Sequence, residues 1–339
     1  MKQHFRKIFL KEDPFTDIKG QERTKQQLKS ALMTGRNVLV MGPPGVGKTT
    51  LAKNVAKMLP EITVNDCEYH CDPKQPLCPK CRTAKPKPKK VKGEERFIRV
   101  QGSPDLTAED LLGDIDPVKA LKYGPTSIEA FTPGKIFKAN KGVLFFDEVN
   151  RCPERLQNAL LQVLEEKTAT LGSYTIDLPA DFILIATMNP EETAATEKLS
   201  DVFLDRFDTV HMGYPEKQET EQEIVLEKGE KLDVEYPSKL LALTINFVRT
   251  LRENKNLIKK PSVRATLGLY ERAQANAYLE KSKKVGPKHI AEAVISVLSH
   301  RIELKPSVKY LETNEEFIQK NYKEFMKDHP ELKHGGGGL

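Results

Sequence analysis

Short blocks of consecutive apolar residues alternate along the first two thirds of the chain with stretches in which apolar residues recur every three or four positions. That is the pattern of buried parallel strands joined by helices. Val38-Leu39-Val40-Met41 is the first block, with a helix predicted before it over residues 21–33 and helical spacing after it from Leu51 to Leu59. Phe97-Ile98-Arg99-Val100, Val143-Leu144-Phe145-Phe146 and Phe182-Ile183-Leu184-Ile185-Ala186 are further blocks, and residues 209–212 predict another strand. A helix over 153–166 places Leu156, Leu160, Leu161 and Leu164 on one face. Turn residues predict two hairpins. One covers 167–180 around Gly172-Ser173; the other, around Ser127 to Phe131, interrupts a helix that stops at Gly113 and offers its tip as a candidate substrate contact. Beyond Pro215 the pattern is helical, for example over 240–251, 262–278 and 287–298. With 339 residues the chain suits two domains, an α/β domain over 1–214 and a helical one over 215–330, followed by a flexible Gly-rich tail over 331–339.

Between the first strand and its helix runs Gly42-Pro43-Pro44-Gly45-Val46-Gly47-Lys48-Thr49-Thr50. Gly42, Gly45 and Gly47 let the backbone fold so that several N–H groups converge on one anion, at the positive end of a helix. Lys48 then reaches the β- and γ-phosphates of a nucleoside triphosphate, and Thr49 offers a hydroxyl to Mg²⁺. A purely structural glycine turn would need no lysine. The Val143–Phe146 block ends in Asp147-Glu148, two carboxylates at the carboxyl end of a buried strand, where open α/β sheets bind ligands. Asp147 can hold Mg²⁺ and Glu148 can orient and deprotonate an attacking water. Asn189, at the end of the next buried block, can position water against the γ-phosphate.

The periodicity breaks at Pro60, and residues 61–95 read as an insertion. It contains four of the five cysteines, Cys67, Cys71, Cys78 and Cys81, in two close pairs of which the second is a Cys-Pro-Lys-Cys turn. Such pairs suit a tetrahedral structural Zn²⁺, which would order a loop too small for its own core; His70 could replace one of the sulfurs. Disulfides fit an intracellular chain poorly, four unrelated thiols so close together are improbable, and four protein ligands leave no open position for catalysis. Cys152 stands apart and reads as a buried thiol. The formal charge of +6 is local to the same region: residues 82–93 carry six lysines and arginines and no acid, which leaves the rest of the chain balanced. A solvated Lys-Pro spacer accounts for that run, and polyanion binding is the alternative. Charged residues make up 30% of the chain, mean hydropathy is −0.51, and no apolar run approaches a membrane span. The first residues carry no secretory signature, so a soluble cytoplasmic protein is expected.

The phosphate loop, the Asp-Glu strand, the Asn-Pro strand, Leu204-Asp205-Arg206-Phe207 and Ser262-Val263-Arg264 occur in the order of AAA+ ATPases, which the chain resembles from residue 13 to about 305. Within them Asp147-Glu148-Val149-Asn150-Arg151 makes it similar to the MoxR and magnesium-chelatase ATPase-subunit group. The resemblance implies a five-stranded parallel αβα sandwich with a helical lid. Lys48 and Thr49 become Walker A, with Gly42, Pro43, Gly45, Val46, Gly47 and Thr50 around the phosphates; Ile18 and Gly20 flank the base. Asp147 and Glu148 become Walker B, Asn189 sensor 1, Arg264 sensor 2, and Arg206 the finger that completes a neighbour's site. Residues 114–137 match the helix-2 insert and 167–180 the presensor hairpin. ATP and Mg²⁺ are the implied cofactors. The implied assembly is a homo-hexamer that remodels or loads a separate protein partner, with a von Willebrand-type domain protein as one candidate, since no such domain is fused here. A DNA- or RNA-acting motor using the cysteine knuckle and the Lys-Pro loop is the alternative. The cysteine insertion is absent from typical MoxR proteins, and porphyrin metallation does not follow from this sequence.

Overall fold

The computed structural model describes residues 1–10, 13–83, 86–125, 127–166, 169–171, 174–176, 180–190 and 198–329. They form two compact units, Met1–Pro43 with Gly47–Met212, and Pro44–Val46 with Gly213–Leu339.

The first unit is built on five parallel strands, β1 (Asn37–Met41), β2 (Phe97–Gln101), β3 (Val143–Asp147), β4 (Ile183–Met188) and β5 (Phe207–His211), in the order β5-β1-β4-β3-β2. The apolar blocks are continuous because both faces of this sheet are covered: Val38, Leu39 and Val40 are at most 1% exposed and Val143 to Phe146 are fully buried. The helices are α1 (Lys2–Phe9), α2 (Glu22–Thr34), α3 (Lys48–Lys57) and α4 (Glu154–Glu166). Helix α1, not anticipated from the sequence, buries Phe5, which stacks on Phe9 and through it on Phe15. Strand β5 begins two residues earlier than the apolar run suggested, since Phe207 is buried beside Phe203.

Two excursions leave this scaffold. The segment after α3 is more ordered than a spacer: Ile62–Asn65 pairs antiparallel with Pro88–Val91, so Lys89 and Lys90 lie in a strand and face Asp66 at 2.6 Å and Glu61 at 3.3 Å. Arg96, 1% exposed, pins the base of the excursion by donating to the carbonyls of Pro60 and Lys141. The second excursion holds a helix rather than a bare hairpin tip. Gly113–Ile115 pairs with Phe131–Pro133, and between them Pro117–Tyr123 is helical, with Asp116 capping it through the N–H groups of Val118 and Lys119. Ala169–Leu171 pairs antiparallel with Tyr174–Ile176, as the hairpin reading required; its Gly172-Ser173 turn lies outside the described residues.

The second unit contains α5 (Gln218–Lys228), α6 (Ser238–Glu253), α7 (Val263–Leu279), α8 (Pro287–Leu298) and α9 (Asn314–Asp328), plus a short ladder of Leu257–Lys259 with Glu303–Leu304 that helical periodicity could not reveal. Its core joins Leu251, Leu269, Ala273, Val294, Leu298 and Phe317. Glu221 of α5 is fully buried and accepts two bonds of 2.6 Å from the Arg252 guanidinium of α6 and one of 2.6 Å from the Thr266 hydroxyl of α7. One carboxylate thus ties three helices, and truncating it strands a buried guanidinium. Glu221→Ala is therefore expected to lower unfolding stability by about 3–5 kcal/mol, measured by urea denaturation; a midpoint equal to that of the parent would show that the cluster holds nothing together.

Candidate nucleotide site and cysteine cluster

The carboxyl ends of β1, β3 and β4 converge on one edge of the sheet, and each ends in chemistry. At β1 the chain turns through Gly42 to Gly47, with Gly45 at φ 75° and Gly47 at φ 104°, values that disfavour a side chain. Gly42 has a separate reason: a Cβ there would lie 2.0 Å from the carbonyl oxygen of Met212. Helix α3 starts at Lys48 with no side chain capping its first N–H groups, and the Lys48 ammonium folds over the loop to donate to the carbonyls of Gly42 and Pro43. These groups form a cradle for a polyanion. Ile18 is buried close by, its Cδ1 4.0 Å from where a Gly47 Cβ would stand, and Gly20 and Gln21 make a left-handed turn beside it.

Strand register fixes where the acids sit. Ala186 pairs with Phe146 and Val40 with Thr187, so Asp147 is level with Val40 across a single intervening strand, about 10 Å away at the usual inter-strand spacing. Helix α3 also packs on β3, which places the start of α3 and the acid-bearing strand together. Thr187 is the link. Its hydroxyl donates to Asp147 Oδ1 at 2.7 Å and accepts the Glu148 N–H at 2.9 Å, fixing both acids to β4. Arg99 of β2 donates to Asp147 Oδ2 at 2.6 Å and to Gln101 Oε1 at 3.0 Å, while Gln101 Nε2 donates to Glu148 Oε2 at 3.1 Å. Arg151 lies 3.1 Å from the same Glu148 oxygen. Glu148 takes φ 54°, a left-handed conformation that turns its side chain away from the strand direction. Asn189 follows β4 directly, and the carbonyl of Met188 accepts the Gly42 N–H at 3.2 Å, joining this strand end to the phosphate loop.

Lys48, Thr49, Asp147, Glu148 and Asn189 therefore share one edge of the sheet. Arg206 does not. It precedes β5, and because Asn37 pairs with Phe207 it lies at the amino ends of the strands, about 16 Å along the strand direction from the loop edge. There it binds Glu165 and approaches Asp205 at 3.4 Å. Arg264 belongs to the second unit, exposed in the first turn of α7. Sequence reading passed over Thr187, Arg99, Gln101 and Arg151. A lone hydroxyl in Ile-Ala-Thr-Met and a lone cation in Phe-Ile-Arg-Val were the available signals.

The four cysteines of the excursion converge. Sγ atoms of Cys67, Cys71, Cys78 and Cys81 all lie within 4.8 Å of one another, against about 3.8 Å for the edge of a tetrahedron of ~2.3 Å zinc–sulfur bonds. The N–H of Cys71 donates to Cys67 Sγ at 3.3 Å and that of Cys78 to Cys71 Sγ at 3.4 Å, as thiolate ligands require. Burial pushes the Cys78 thiol up to about 11 and Cys81 higher still, so a divalent cation is what would hold these groups as thiolates. His70 is not part of the set: its Nδ1 lies 3.3 Å from the carbonyl of Asn140. Cys152 is buried elsewhere, and desolvation raises it to about 12.

A five-stranded parallel sheet in this order, with an anion cradle and paired acids at its carboxyl edge, defines a P-loop nucleotide-binding ATPase fold with a C-terminal lid. The family model for the ATPase family associated with various cellular activities (AAA) matches residues 76–209, that for magnesium chelatase, subunit ChlI, matches 14–70, and that for the AAA lid domain matches 260–321. The chain is 35% identical over 205 residues to a magnesium-chelatase subunit ChlI homolog of Methanocaldococcus jannaschii, covering 57% of this chain and 53% of that one. It thus spans about half the length of that relative. It is 29% identical over 323 residues to the magnesium-chelatase 38 kDa subunit of Acidiphilium rubrum, covering 86% of this chain and 92% of that one. A solved complex between subunits BchI and BchD of magnesium chelatase matches with 26% identity and a TM-score of 0.49, over 88% of this chain and 98% of that one. The chain belongs to the AAA+ ATPases, in the group that contains the magnesium-chelatase ATPase subunits.

Proposed function

We propose that the protein hydrolyses ATP within a homo-oligomeric ring, six subunits by family analogy, and uses the cycle to remodel or load a separate protein partner. The observation that carries this reading is the carboxyl edge of the sheet, where cradle, acids and amide meet. Thr49 and Asp147 would hold Mg²⁺, which when bound would offset the negative charge of the phosphates. The glycine-rich backbone and Lys48 bind the β- and γ-phosphates, and Ile18 and Gly20 border the base. Glu148, oriented by Gln101 and Arg151, accepts a proton from the water that attacks the γ-phosphorus as the bond to the β–γ bridging oxygen breaks. Asn189 positions that water. Arg264 acts from the lid as a second phosphate contact.

Arg206 makes the ring necessary. From the amino edge of the sheet it cannot serve its own nucleotide, so it acts on that of an adjacent subunit. The word "subunit" in the names of the relatives favours a separate partner chain, for which a von Willebrand-type protein is one form. A nucleic-acid motor is less well supported, because Lys89 and Lys90 of the basic run already face acids. In steady-state ATPase assays Glu148→Gln should retain nucleotide and lose turnover, and Arg206→Ala should bind ATP yet lose about 10³-fold in rate. Normal turnover by either variant would remove that residue from the site.

The cysteine cluster holds a structural Zn²⁺ in this reading, closing four ligands around the metal and giving the excursion an order its few apolar residues cannot. Elemental analysis of the purified protein should find about one zinc per chain, lost in Cys78→Ser with Cys81→Ser; a metal-free parent would end the assignment.

A further inference from the structure

The cysteine excursion and the Pro117–Tyr123 helix face each other across a groove of about 690 Å³ that includes none of the nucleotide-site residues and borders the cysteine cluster through Cys67 and Cys78. Cys67, Tyr69 and Cys78 line one side, and Val118 and Tyr123 the other, over a floor that includes Phe131. The floor is fixed to the main core: Phe131 and Tyr69 both pack on Phe137. The helix rim is not covered. Val118 is 76% exposed, Leu121 92% and Tyr123 50%, three large apolar side chains on a helix of seven residues that buries none. A helix with no buried face gains little from folding against its own chain.

Charge states what the rim suits. Lys80, Lys119 and Lys122 line the groove with Glu68 and Glu129. Both acids are already engaged, Glu68 with Lys138 at 4.0 Å and Glu129 with the Ser127 hydroxyl. Among the lysines, Lys119 has Asp116 at 3.5 Å and Lys122 lies over the Tyr123 ring at 5.0 Å, while Lys80 has no ion-pair partner among the described residues. The groove lining carries three ammonium groups against two carboxylates, one net positive charge, beside apolar surface. A nucleic acid would bring a continuous line of phosphates past those carboxylates, and it offers no aliphatic side chains to set against Val118 and Phe131. A peptide offers separated charges and aliphatic side chains.

We propose that this groove docks an extended segment of the partner protein in which acidic residues alternate with aliphatic ones, the cysteine excursion forming one wall and the Pro117–Tyr123 helix the other. The proposal rests on the partner-directed reading above for the nature of the occupant, but not on catalysis. Lys119, Lys122 and Val118 lie outside the nucleotide machinery, so substitutions there should leave basal ATPase unchanged.

The zinc-loaded full chain is titrated into a fluorescein-labelled peptide of alternating Glu and Leu, with a Lys-Leu peptide and oligo(dT) as comparisons, and anisotropy is recorded. Saturable binding of the Glu-Leu peptide is expected, weakened about tenfold by Lys119→Glu with Lys122→Glu and also weakened by Val118→Asp, with circular dichroism and basal ATPase of both variants like the parent. No saturable binding, binding indifferent to both variants, or tighter binding of oligo(dT) than of the Glu-Leu peptide would overturn the groove assignment. Absent ATPase in the parent with peptide binding intact would instead overturn the hydrolytic reading.

Discussion

Everything at the nucleotide edge depends on how a parallel sheet disposes of its strand ends. All five strands point the same way, so the polar residues that terminate the apolar blocks are delivered to a single rim. Thr187 converts that coincidence into a site. Its one hydroxyl, buried between strands, bonds the Asp147 carboxylate and the Glu148 backbone at once, so the two acids cannot move independently of β4 or of Asn189 beyond it. Buried hydroxyls are costly when unpaired, and this one is saturated only while both acids stay in place. The phosphate loop is held to the same rim by the Met188 carbonyl and is kept glycine at position 42 by the Met212 carbonyl behind it.

Around this rigid edge the chain hangs parts that have little structure of their own. The cysteine excursion contributes Cys67, Tyr69, Cys71, Cys78 and Cys81 to the main core, and Arg96 bolts its base to two backbone carbonyls. It is therefore no free-standing knuckle but a wall attached to the sheet domain. The Pro117–Tyr123 helix opposite presents apolar residues outward. The cysteine cluster on one side and the Asp116-capped helix on the other border a single groove. Arg206 lies at the opposite edge of the sheet, next to Glu165 and Asp205 rather than among the residues of the phosphate-loop edge.

The strands and the nucleotide residues were legible because their chemistry is local: four to six apolar residues in a row, a glycine-rich turn ending in Lys-Thr, and a carboxylate pair at a block's end. What escaped was long-range. Arg99 and Gln101 are separated from Asp147 and Glu148 by more than forty positions, and only the β2–β3 register brings them together. The lysine run read as a solvated spacer because spacing cannot show that Pro88–Val91 would find Ile62–Asn65 across the cysteine loop. The cysteine pairs were readable from sulfur spacing, whereas the exclusion of His70 required seeing its ring turned to Asn140.

The central claim is that Thr49 and Asp147 share one metal ion with a triphosphate held by Lys48. Pulsed electron paramagnetic resonance with Mn²⁺ in place of Mg²⁺ tests it most directly. In the presence of ATP the protein should bind manganese with clear phosphorus coupling, and Asp147→Asn should weaken manganese binding while affinity for metal-free ATP stays close to the parent's. Manganese and ATP binding that ignores both Asp147→Asn and Thr49→Ala would contradict the account.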